Sequence, residues 1–154
     1  MMSNKIFYIT YEEVIDVYEK TIEKSGGGFS GVLNKGKIES IIEFIQNDDY
    51  YPGFVSKLNY LVFRFCTGHC FQDGNKRVAL TLGVYFLHKN GHYWAAAQFM
   101  KRLEAIIYHI AAGSINQELS HQIMKSIVEC KDFDEEIQIE LIHSISNSQL
   151  FKED

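Results

Sequence analysis

His69, Asp73, Gly74, Asn75, Lys76 and Arg77 fall within nine residues, in the stretch GHCFQDGNKRVAL at positions 68–80. Histidine is the one side chain of this group that exchanges a proton near neutral pH, which suits His69 to accept the proton of a hydroxyl nucleophile. Asp73 offers a carboxylate to a divalent cation such as magnesium, which takes one or two carboxylates and completes its shell with phosphate and water oxygens. The residues GNKR then open a helix, and the first N–H groups of a helix lack partners and attract anions. Gly74 lets a phosphate approach closely, Asn75 adds a side-chain amide, and Lys76 and Arg77 supply a mobile point charge and a planar fork for phosphate oxygens. Taken together these are the parts of a phosphoryl or nucleotidyl transfer site.

Each side chain also has a purely structural use. His69 can end a helix against free carbonyls, Asp73 can be an N-cap, and a Lys-Arg pair can be solvated surface. Phe71, between them, reads as a core anchor that pins the loop. Cys70 adjoins His69 in sequence, but a buried, inert thiol fits it better than a nucleophile. It is the joint spacing, at a helix start, that points to chemistry.

The elements needed to position this stretch read as helices. Thr10 and Glu13 have capping-box spacing, and Val14, Val17, Tyr18 and Ile22 follow on one face, predicting a helix to Lys24. Gly26, Gly27 and Gly28 end it, and 25–35 reads as a loop or short hairpin. Ile38, Ile41, Ile42 and Ile45 predict a second helix. Pro52 suits the first turn of a third, with Phe54, Val55, Leu58, Leu61, Val62 and Phe65 as its apolar stripe. VALTLGVYFLHKNG, apolar on nearly every side, predicts a helix buried in the middle of a bundle and stopped at Gly91. Further helices are expected over 99–112 and 116–128. A last one, DFDEEIQIELIHSI, should be capped by Asp132 with Glu135 and packed through Ile137, Leu141, Ile142 and Ile145.

At 154 residues, with 46% apolar and 14% aromatic residues, the chain suits one packed domain without internal repeats. A formal charge of −5 argues against a broad grip on nucleic acid. Its three cysteines form no CxxC pair, which suggests reduced thiols in a cytoplasm and no zinc site. No stretch approaches a membrane span and the start does not read as a signal peptide, so a soluble, cytoplasmic protein is expected.

HCFQDGNKR closely resembles the signature of the Fic/Doc family, His-x-Phe-x-Asp/Asn-Gly/Ala-Asn-Gly/Lys-Arg. GGGFSG followed by KIES, and YFLHKNG downstream, resemble the family's death-on-curing (Doc) branch. The resemblance covers about 9–128. It implies an all-α, Fic-type helical bundle with a buried central helix and a short β-hairpin flap. The domain reading is a Fic/Doc-like domain at 1–128 and a helical extension at 129–154 packed on it.

By the same resemblance, His69 takes the proton of the target hydroxyl, Phe71 anchors the core, and Asp73 binds magnesium. Gly74 and Asn75 line the anion hole, and Arg77 contacts the phosphates of ATP. Gly26, Gly27, Gly28, Phe29 and Gly31 belong to the flap, whose edge would align a target segment. Most family members have Gly at the position of Lys76 and transfer AMP; the Doc branch has Lys and resembles a protein kinase. The implied function is a toxin moving the γ-phosphate of ATP to a Ser/Thr hydroxyl, with elongation factor Tu as a target and translation blocked. Its implied partner is an antitoxin whose disordered tail folds into a groove. An AMP transferase and a catalytically silent interaction domain are the alternatives. Cys70 and Val78 depart from the residues common in the family, Pro and Thr. The inhibitory Ser/Thr-x-x-x-Glu-Gly/Asn motif is not found.

Overall fold

The computed structural model describes residues 5–26 and 31–147. Among them the regular elements are all helices: α1 (Tyr11–Lys24), α2 (Lys35–Phe44), α3 (Gly53–Thr67), α4 (Asn75–Lys89), α5 (Tyr93–Ala111), α6 (Gln117–Val128) and α7 (Glu135–Ser146).

Helix α1 starts where the Thr10 side chain accepts the N–H of Glu13 while the Glu13 carboxylate accepts the N–H of Thr10, the capping box expected from the spacing. The same carboxylate reaches across to α4. It accepts from Lys89 Nζ at 2.7 Å and from the Tyr85 hydroxyl. Desolvation tends to raise its pKa, but the Lys89 and Thr10 hydrogen bonds and the Lys89 charge outweigh that and lower it.

Helix α4 lies against α3, α5 and α1. It buries Val78, Ala79, Leu80, Leu82, Gly83, Phe86 and Leu87, while Lys76, Arg77 and His88 stay exposed. Gly83 is where the helices come closest. A Cβ there would lie 2.5 Å from the Phe99 ring of α5 and 3.0 Å from a Val62 methyl of α3. Glycine is therefore demanded by packing at this point, although it is a poor helix former.

Helix α5 begins six residues earlier than its amphipathic pattern suggests, at Tyr93 rather than Phe99. Exposed Tyr93 and Trp94 mask the period, but Ala95 and Ala96 are buried and favour helix. The expected Asp132–Glu135 cap on α7 is not formed. Asp134 is the N-cap and its side chain accepts the N–H of Ile137 at 2.9 Å; Asp132 lies too far before the helix to reach it. Of the four apolar residues expected to pack α7, Ile137 is buried, Leu141 and Ile145 are half-buried, and Ile142 is exposed, because α7 packs mainly on α6.

The third helix holds a fully buried Lys57 within its apolar stripe. Its ammonium donates to Ile45 O at 2.7 Å, pairs with Asp48 at 2.8 Å and lies over the Tyr8 ring, so the charge is satisfied at the end of α2.

The expected hairpin falls mainly on Gly27, Gly28 and Phe29, which lie outside the described residues. On either side, Gly26 has a left-handed φ of 91°, and Gly31, Val32 and Leu33 pair with the motif loop. Gln72 N donates to Gly31 O at 2.9 Å, Leu33 N donates to Cys70 O at 2.8 Å, and Val32 and Phe71 form an antiparallel bridge.

Candidate active site

The motif loop joins the C-terminus of α3 to the N-terminus of α4, and its own residues, the segment 31–34 and Lys37 of α2 bond its backbone. Phe71 is its anchor, 1% exposed, stacked on Tyr18 with ring centroids 4.1 Å apart and planes 9° from parallel. Burying such a ring contributes about 1.5–3 kcal/mol. The Tyr18 hydroxyl accepts the N–H of Gly31, so one aromatic pair ties together α1, the motif loop and the segment leading out of the glycine stretch.

His69 is exposed and has a φ of 52°, in the left-handed region that side-chain-bearing residues seldom adopt. This turn lifts the imidazole onto the surface while its neighbour Cys70 is driven into the core. Burial raises the Cys70 thiol pKa, against the smaller opposing effects of the Lys37 and Arg64 charges. A thiol so placed is a poor nucleophile.

Asp73 is exposed, and its Oδ1 accepts the N–H of Gly74 at 2.8 Å. It is not the N-cap of α4; that position is Gly74, with a φ of 78°. A Cβ on Gly74 would sit 2.9 Å from the Ile22 side chain of α1. Glycine here provides both the left-handed turn and the close approach of α1. Asp73 makes no ion pair among the described residues, so its second carboxylate oxygen is open to a cation. No cluster of three potential metal-ligating side chains exists among the described residues. One carboxylate fits magnesium bound together with phosphates and water better than it fits an all-protein cage.

The side chain of Asn75 also braces the motif loop. Its Oδ1 accepts the Phe71 N–H at 3.1 Å and its Nδ2 donates to the Phe71 carbonyl at 2.9 Å. Toward an anion this position keeps the second N–H of the amide nitrogen and the backbone, since the N–H groups of Asn75, Lys76 and Arg77 open α4 without intrahelical partners.

Lys76 and Arg77 stand on the exposed face of that first turn. The Lys76 ammonium lies 5.5 Å from the centroid of Tyr108 on α5, a cation–π contact. Arg77 Nη1 donates to Ser25 Oγ, and that hydroxyl in turn donates to Thr21 O at 2.8 Å, so the last turn of α1 orients the guanidinium. Asp73, Gly74, Lys76 and Arg77 together wall a polar cleft of about 310 Å³ whose other side is Thr21, Ile22, Ser25 and Tyr108. It adjoins a larger, more apolar cleft of about 450 Å³ that shares Lys76, Arg77 and Tyr108 and adds Val17, Leu80, Met100 and Ile107. His69 and Phe71 are not among the walls of either: one is on the surface of the loop, the other beneath it.

Sequence reasoning missed Thr21, Ser25 and Tyr108 as site residues. Tyr108 carries the one readable signal, an aromatic residue off the apolar stripe of α5 and half exposed. Thr21 and Ser25 are polar residues at a helix end and carry none.

A model of the Fic/DOC family matches residues 8–87. The chain is 35% identical over 88 residues, 54% of its own length and 68% of the relative's, to a protein named protein kinase doc from Escherichia phage P1. No solved structure matches it. The matched span contains α1 to α4 almost whole and the entire motif loop, with the signature residues in the walls and supports just described. The chain belongs to the Fic/Doc family, in its Doc branch.

Proposed function

We propose that this chain is a Doc-like toxin that transfers the γ-phosphate of ATP to a serine or threonine hydroxyl of a protein target. The observation that carries this reading is Lys76, whose long cation shares one cleft wall with Asp73 and Arg77 where most of the family has a glycine. A glycine would leave that volume and charge open to the phosphate chain; a lysine fills it and favours a nucleotide seated with its terminal phosphate toward the hydroxyl. Likeness to a relative named as a protein kinase supports the same group being transferred.

In this mechanism the backbone N–H groups at the start of α4 and the side chains of Lys76 and Arg77 bind the phosphates and offset their charge. Magnesium, when bound at Asp73, supplies further neutralisation of the phosphate oxygens. The target hydroxyl oxygen attacks the γ-phosphorus, the bond from that phosphorus to the bridging oxygen of ADP breaks, and His69 takes the hydroxyl proton. Exposure of His69 outside the cleft walls suits a macromolecular nucleophile that arrives from solvent. In this reading the glycine-rich stretch serves as the flap that aligns the target segment. Pairing of Gly31 and Val32 with Gln72 and Phe71 supports this, since it leaves the flap rooted on the catalytic loop.

The target in this reading is a cytoplasmic protein, elongation factor Tu by analogy with the Doc branch, and its modification blocks translation. Restraint comes from a separate antitoxin whose disordered tail folds on binding, and the apolar cleft beside the phosphate site is suited to receive it.

The test is incubation of the chain and H69A in bacterial lysate with magnesium and ATP labelled at the γ or the α phosphate. Label from γ alone on one band, absent with H69A, is expected. Label from α would make the chain an AMP transferase, and no label from either would leave an interaction domain.

A further inference from the structure

The carbonyls of Gly68 and Cys70, the residues on either side of His69, are held by Lys37 of α2 and by the segment that leads into that helix. Lys37 Nζ donates to Gly68 O at 2.8 Å, and the N–H groups of Leu33 and Asn34 donate to Cys70 O at 2.8 and 3.3 Å. Between these two anchors His69 sits at its left-handed φ of 52°. A residue with a side chain is strained in such a backbone and keeps it only where the surroundings impose it.

Lys37 is itself held in place. It is half-buried, and its stem lies so close to Gly68 that a Cβ added there would meet Lys37 Cδ at 3.2 Å and Arg64 O at 2.5 Å. No carboxylate lies within ion-pair distance of it among the described residues, so the Gly68 carbonyl is the polar group that fixes its ammonium. The bond also closes the C-terminal end of α3, where a cation is favoured by the helix dipole and free carbonyls. One lysine therefore joins α2, the end of α3 and the peptide that carries the imidazole.

We propose that Lys37 is a positioning residue for His69: through the Gly68 carbonyl it holds the His69 peptide in its left-handed turn and keeps the imidazole where it can receive the target's proton. The inference rests on the reading of His69 as the base. It goes beyond that reading in assigning the base's geometry to a residue 32 positions earlier, on another helix.

Purified wild type, K37M and K37R are compared in two measurements. The first is labelled-ATP transfer onto the same lysate fraction. K37M should lower the turnover rate at saturating ATP about tenfold to a hundredfold with the ATP KM within about twofold, since a misplaced base slows chemistry without weakening nucleotide binding. K37R, which keeps a donor, should recover most of the rate. The second is amide hydrogen exchange. Phe71 and Gln72, whose N–H groups are bonded in the loop, should exchange faster in K37M and at the wild-type rate in K37R, with α6 unchanged. A K37M protein that only melts lower, with turnover and loop exchange as in the wild type, overturns the proposal. Should the wild type transfer no label, the base reading fails separately; faster loop exchange in K37M would still uphold the clamp, and unchanged exchange would overturn it.

Discussion

Asn75 acts on the motif loop as a second backbone would, accepting the N–H of Phe71 and donating to its carbonyl with a single side-chain amide. This closes the loop without adding a strand and leaves Phe71 free to drop into the core against Tyr18. Beside this pair, burial decides what the thiols can do. It pushes the Cys66 thiol up to about 12, with the charge of Lys76 opposing, and raises that of Cys70. Both therefore remain protonated at mildly alkaline pH, while Cys130 is exposed. Thiol titration of the native protein near pH 8 should give one reactive group per chain, and three after unfolding; more than one in the native state would contradict the burial described. Because the folded thiols hold their protons more tightly than the unfolded ones, their contribution to stability is complete below the ordinary thiol pKa and declines as pH rises above it.

Among the elements, α4 has the most demanding position, and Gly83 shows why. A methyl group there has no room between the Phe99 ring and Val62. G83A should destabilise the protein by about 1–3 kcal/mol despite alanine's better helix propensity, read as a lower denaturation midpoint with an unchanged slope. A neutral or stabilising G83A would mean that α3, α4 and α5 are not so close. Helices of this bundle were largely legible in the chain because their caps and apolar periods agree: Thr10 with Glu13 for α1, Gly91 after α4. The start of α5 was not, because Tyr93 and Trp94 face solvent and break the period. The packing of α7 was not, because a helix that packs mainly on one neighbour leaves part of its apolar stripe exposed. At the site, the types and spacing of His69, Asp73, Lys76 and Arg77 pointed to phosphate chemistry. Which atoms Asn75 spends on the loop, and that Ser25 and Tyr108 come to Arg77 and Lys76 from α1 and α5, depend on tertiary contacts that no local pattern records.

Over the whole molecule, a chain of formal charge −5 gathers Lys20, Lys24, Lys76 and Arg77 around adjoining clefts. Glu104 and Asp73 line the same clefts and Lys20 pairs with Asp16, but a local excess of positive charge remains and can draw a polyanion to a protein that is acidic overall. The family match ends within α4 at residue 87, yet α5 completes the clefts with Tyr108, Met100 and Ile107. The candidate site thus draws on a helix beyond the matched span, and α5 is placed there by the packing around Gly83. No helix among the described residues is long and apolar enough to cross a membrane. The central claim is that this cleft, with Lys76 in its wall, delivers the terminal phosphate of ATP. Its most direct test is the intact mass of the modified target after reaction with the purified chain, magnesium and ATP. Addition of one phosphoryl group with release of ADP is the result the account predicts; addition of AMP with release of pyrophosphate would contradict it.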